Sequence, residues 1–96
     1  MKKFVFLYHG FGEHTQENMD AWGSWFASVG DKMVDPGNPF GMCREVTATG
    51  TKELTSENGA ASGYSIVNAD SFEDAEKLLE GCPIISSVRV YEAMSM

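Results

Sequence analysis

Two histidines, two cysteines, two arginines and a set of aromatic side chains hold most of the chemistry this chain could perform. His9 stands at the end of an apolar run, just ahead of Gly10 and Gly12, and strand-end side chains before such loops point into clefts. An imidazole there either moves a proton near neutral pH or rests as a partly exposed group bonded to the loop. His14 precedes a helix cap and reads as solvent-facing. Neither histidine has the carboxylate neighbours or the HxxxH spacing of a metal site, so no metal is expected. Arg44 and Arg89 both fall on expected strands, where a guanidinium reaches solvent, pairs with a neighbouring Glu45 or Glu92, or meets an anionic ligand. Trp22, Trp25 and Tyr64 could line an aromatic-shaped pocket. Trp22 fits a core stripe, whereas Trp25 lies off that stripe and flanks a pocket or a seam between subunits. Asp35, in Asp35-Pro36-Gly37-Asn38-Pro39, reads as a turn former. Gly10-Phe11-Gly12 lacks the third glycine of a dinucleotide loop and the Lys-Ser/Thr of a phosphate loop, so no nucleotide cofactor is expected. No GxSxG or Cys-His arrangement points to covalent catalysis.

The elements that must position these groups follow from hydrophobic period. Residues 2–9 form an apolar, aromatic and β-branched run that reads as a strand, with Phe4, Phe6 and Tyr8 on one face and Val5, Leu7 and His9 on the other. Met19, Trp22, Phe26, Val29 and Met33 then recur at three and four residues, the spacing of a helix face. Thr15 caps its start and Pro36 forbids its continuation, which places the end near Met33 or Val34. Gly23 and Gly30 inside it read as close-packing positions against the sheet. A second strand is expected over residues 40–48, then a long polar connection over 49–60 with room for a short edge strand at 52–55. Residues 61–69 read as a third strand. Asp70 or Ser71 caps a second helix, which Gly81 and Pro83 terminate, and residues 87–93 alternate as a fourth strand.

That order, β-α-β-β-α-β, predicts one domain over residues 1–96: α+β, ferredoxin-like, a four-stranded antiparallel sheet with two helices on one face. The strands offer apolar groups on both faces, yet the helices shelter one. The economical cover for the other is a second copy packed sheet against sheet, with a cleft formed in the homodimer. A monomer with a wet open face is the alternative.

Composition narrows the partners. Fourteen Asp and Glu against seven Lys and Arg give a net charge of -7, which repels nucleic acid and anionic lipid. No apolar stretch approaches the ~18 residues of a membrane span. The charged start before residues 4–8 resembles a leader only briefly, because His9, Gly10, Gly12, Glu13 and His14 break the run. Cys43 and Cys82, without a CxxC, suit a reduced pair and a cytoplasmic location.

Residues 63–71 (GYSIVNADS), Ala75, Gly81-Cys82-Pro83 and Val88-Arg89-Val90-Tyr91-Glu92 carry a resemblance to the YCII-related family of small dimeric α/β-barrel proteins. Trp22, Trp25-Phe26 and residues 36–40 fit it too, so the likeness spans nearly the whole chain. It implies a dimeric barrel with a cleft and an enzymatic role unassigned for most members; a cofactor-free enzyme acting on a small organic molecule is our own first expectation. One branch of that family pairs a helix histidine with an aspartate at the first strand's end. His9 and Trp22 occupy the corresponding places here, so that dyad is not carried over. Two functions are therefore expected side by side. One is an enzyme with His9 as proton carrier and Trp22, Trp25, Arg44, Tyr64 and Arg89 at the ligand. The other is a non-catalytic ligand-binding or accessory dimerisation module.

Overall fold

The computed structural model describes residues 1–10 and 15–94. Strand β1 (Lys2–His9) is followed by helix α1 (Gln16–Val29), a 3-10 turn (Gly30–Lys32) and a short strand β2 (Met33–Asp35). A hairpin of β3 (Cys43–Thr47) and β4 (Gly50–Leu54) comes next, then β5 (Gly63–Ala69), helix α2 (Phe72–Lys77) and β6 (Ser87–Ala93). The main sheet is four-stranded in the order β2-β5-β1-β6, antiparallel throughout. A four-stranded antiparallel sheet with two helices makes the chain α+β and is compatible with a ferredoxin-like arrangement.

Local chemistry explains where the elements begin. The Thr15 side chain accepts from the Asn18 N–H at 3.1 Å and opens α1, and Ser71 does the same for the Asp74 N–H at 3.1 Å in α2. Each cap satisfies one of the orphan donors of a first turn, worth typically ~1 kcal/mol.

Helix α1 ends four residues earlier than Met33. Gly30 adopts φ +63°, a left-handed conformation that an L-residue adopts only at a cost, and its N–H returns to the Phe26 carbonyl. Met33 therefore leaves the helix and pairs with Val67 in the sheet. The expected strand over residues 40–48 is corrected as well. Residues 43–47 pair with 50–54 in a separate two-stranded sheet, and the fourth place in the main sheet goes to Met33–Asp35. Gly23 has no heavy atom within 4 Å of where a Cβ would stand, so it is not a close-packing position.

The core gathers on one face of the main sheet. Phe4, Phe6 and Val67 are fully buried under Trp25 and Val29 of α1 and Ala75 of α2. Each large apolar side chain buried there contributes about 1.5–3 kcal/mol. Phe4 meets Phe72 edge to face at 5.1 Å, and the Trp25 Nε1–H donates to the Leu78 carbonyl at 2.7 Å, tying α1 to the end of α2. Among the described residues no helix covers the opposite face. Its central row runs Ile66, Val5, Tyr91 across three strands, and the next runs Tyr64, Leu7, Arg89. The molecule is correspondingly flat, 42 × 39 × 18 Å. Among the described residues no helix is long and apolar enough to cross a membrane.

Candidate functional site

A cavity of about 390 Å³ opens at the end of the sheet where β1 leaves and β5 enters. Helix α1 supplies Met19, Trp22 and Phe26; β1 supplies Tyr8; the turn after β2 supplies Pro36 to Phe40; and Ser62 to Tyr64 close the floor. Its size falls in the range of small-molecule sites, roughly 300–1,000 Å³. Tyr8 and Trp22 meet edge to face at 5.1 Å, Trp22 and Phe26 tilt at 6.0 Å, and Phe40 stacks on Tyr64 at 5.5 Å with the planes 18° apart.

Hydrogen bonds hold this wall in place. The Tyr8 hydroxyl donates to Ser65 Oγ at 2.8 Å, and Ser65 Oγ donates onward to the Pro36 carbonyl at 2.7 Å. Ser65 is completely buried, so this chain satisfies the one buried polar residue among those described. Tyr64 donates to Asp35 Oδ2 at 3.3 Å, while Asp35 Oδ1 accepts the Gly37 N–H at 2.8 Å, which is the turn-forming role expected of it. Gly37 sits at φ +77°, and a Cβ there would overlap the Tyr64 carbonyl. The turn thus lies directly against β5, and an isolated bridge between Pro39 and Gly63 continues the contact. Burial raises the Tyr8 hydroxyl above the ordinary tyrosine range, against the smaller opposing effect of the Ser65 bond. Tyr8 is therefore held protonated and is unsuited to act as a base at neutral pH. Burial also pushes the Cys82 thiol up to about 12.

The residues anticipated at the site separate into two groups. Trp22 and Tyr64 line the cavity. His9, Trp25, Arg44 and Arg89 are not among its lining residues. The two tryptophans exchange the roles expected of them: Trp25 is the buried one at 2% exposure, and Trp22 is half-buried on the cavity wall. Arg44 lies in the β3–β4 hairpin, exposed, with Glu53 at 3.9 Å. Such an exposed pair adds little to stability. Arg89 is exposed on the open sheet face opposite Leu7. His9 lies on that same face opposite Ser87, on the other side of β1 from Tyr8, and its Nε2 is enclosed without a hydrogen-bond partner among the described residues. His14 lies outside the described residues, as do Phe11 and Gly12 of the glycine loop.

Tyr8, Ser62, Asn38 and Phe40 were not singled out from sequence. Tyr8 alternates in phase with Phe4 and Phe6 and reads as core; the feature that sets it apart, Ser65, is 57 residues away. Among the described residues no group of three or more His, Cys, Asp or Glu gathers as metal ligands, and both cysteines are free thiols. Compared with known proteins, the chain matches no family model, no curated protein and no solved structure.

Proposed function

We propose that this chain binds a compact, largely apolar small molecule that carries no negative charge, in the cavity between α1 and the turn at residues 36–40. The observation that carries the reading is an aromatic wall of about 390 Å³ whose described lining holds no charged side chain. Binding, rather than catalysis, is the reading the geometry favours. The Tyr8 hydroxyl stays protonated, and the histidine proposed as proton carrier sits on the other face of its strand.

The protein works in this reading as a homodimer that buries the open sheet face. Support comes from Val5, Leu7, Ile66 and Tyr91, which form an apolar field there with Tyr91 49% exposed. The accessible surface, 6702 Å², exceeds the roughly 5,400 Å² expected for a monomer of 10.5 kDa. That surplus is of the order of the ~800 Å² each partner contributes to a standard interface. The YCII-related resemblance, with its ferredoxin-like subunit and sheet-to-sheet dimer, belongs to the same proposal.

The test is a thermal-shift and tryptophan-fluorescence screen of compact aromatic compounds against the wild type and Trp22→Ala. A ligand at a hundred times its Kd stabilises by about 2.7 kcal/mol. For a chain of this size that raises Tm by about 10–20 °C. Shifts that vanish in Trp22→Ala support the reading. A screen in which no compound moves either signal overturns it.

A further inference from the structure

We infer that the ligand is an organic cation, a protonated amine on an aromatic body, and that the cavity selects it by offering lone pairs and ring faces. This rests on the proposed binding role and specifies its ligand class.

Three hydroxyls belong to the lining, and the proton of each is already committed. Ser65 donates to the Pro36 carbonyl, which can only accept. Ser65 Oγ therefore receives a proton from Tyr8, and Tyr8 Oη has none left to offer. Ser62 Oγ donates to the Tyr8 backbone carbonyl at 3.1 Å. Tyr64 donates to the Asp35 carboxylate. A carbonyl and a carboxylate cannot reverse these bonds, so the direction of every O–H is set by what lies behind it. The hydroxyls of Tyr8, Ser62 and Tyr64 have only lone pairs to give a ligand. The N–H groups on lining side chains belong to Asn18, Trp22 and Asn38, all neutral.

Charge points the same way. The described lining holds no Lys, Arg or His, the Asp35 carboxylate stands behind Tyr64, and the whole chain carries -7. Tyr8, Trp22, Phe26, Phe40 and Tyr64 present π systems whose negative faces attract a cation, tryptophan most strongly. An anion would meet no positive charge among the described lining residues to offset its desolvation. An ammonium group would find acceptors for its N–H bonds, ring faces for its charge and an apolar wall for its body.

The experiment is calorimetric titration of the wild-type protein at pH 7 with three probes of similar shape: 2-phenylethylammonium, 2-phenylethanol and 3-phenylpropionate. Expected is binding of the ammonium about tenfold or more tighter than the alcohol, with no binding of the carboxylate. Asp35→Asn and Trp22→Leu should each reduce the ammonium-to-alcohol ratio several-fold, and either variant serves where the other fails to fold. An alcohol that binds as tightly as the ammonium overturns this inference and leaves the apolar binding role standing. A preference that survives unchanged in both variants places the cation elsewhere on the acidic surface and overturns it equally. If none of the probes binds and the compound screen is also silent, the binding role itself fails.

Discussion

Replacing Gly37 by alanine tests whether the cavity wall is locked to the sheet as described. The residue has φ +77°, and an L-residue there costs about 1–2 kcal/mol from the clash of its own Cβ with the backbone. The added methyl would also overlap the Tyr64 carbonyl, which is backbone and cannot swing away. The turn must therefore move, and the neighbouring Pro36 carbonyl moves with it. Ser65, completely buried, then loses the acceptor it holds at 2.7 Å. A buried polar group left unsatisfied costs about 1–3 kcal/mol. The lower entropy of the unfolded alanine chain offsets about 0.4–1 kcal/mol. The net expectation is destabilisation by roughly 2–4 kcal/mol, or a Tm lower by about 10–25 °C for a chain of this size. Urea denaturation followed by tryptophan fluorescence reads the change directly. Gly41→Ala, just past the turn, is the control: nothing lies within 4 Å of its Cβ position, and its stability should stay within about 0.5 kcal/mol of wild type. A Gly37→Ala protein as stable as the control would refute the account of the turn and of the Tyr8–Ser65–Pro36 chain behind it.

Other outcomes follow from the same geometry. Trp25→Phe should destabilise by about 2–4 kcal/mol in denaturant melts, because it removes the bond to Leu78 and leaves a void in the core, whereas Trp22→Phe should cost under about 1.5 kcal/mol. Gly23→Ala, in mid-helix with open space around it, should raise stability by about 0.5–1 kcal/mol in the same assay. Cys82 and Tyr8 both bind their protons more tightly when folded, so stability is full below pH 9 and declines as the unfolded thiol ionises above its ordinary 9.0. Urea midpoints measured from pH 8 to 11 should fall from about pH 9 in the wild type and only above about pH 10 in Cys82→Ala, where Tyr8 alone still acts. The proposed sheet-to-sheet homodimer requires the wild type to run as a dimer in light scattering and Tyr91→Lys, on the open sheet face, as a monomer with unchanged far-ultraviolet circular dichroism; a monomeric wild type would overturn it.

Much of this architecture was legible in the chain because its signals are local. Strand β1 is a continuous apolar and aromatic run closed by glycine, β6 alternates with a two-residue period, and their bounds match residues 2–9 and 87–93. Thr15 and Ser71 announce the helix starts through side chains that reach only three residues along. Strand β2 was hidden because three residues are too few to show a period, and Met33 happens to fall in phase with the helix before it. What ends that helix is the backbone conformation of Gly30, which composition does not reveal. The tryptophans were exchanged for a similar reason. Trp22 and Trp25 belong to neighbouring rows of one broad apolar arc on α1, and a helical period cannot say which row meets the sheet and which meets a void. Trp22 and Tyr64, offered by their type as candidates for an aromatic pocket, do line the cavity, whereas the hydroxyl network depends on pairs 29 to 57 residues apart and has no local trace.

The β3–β4 ribbon has one further consequence. Residues 44–47 and 50–53 are exposed on both sides, so no buried row locks the pairing into a single register, and the outer backbones stand open to any passing strand. Insulation comes from charge: Arg44 faces Glu53, and Glu45 faces Lys52, so a neighbour laid alongside out of step would set like against like. Stripping those four residues to threonine would remove that insulation and turn a freestanding arm into a seed for filament growth.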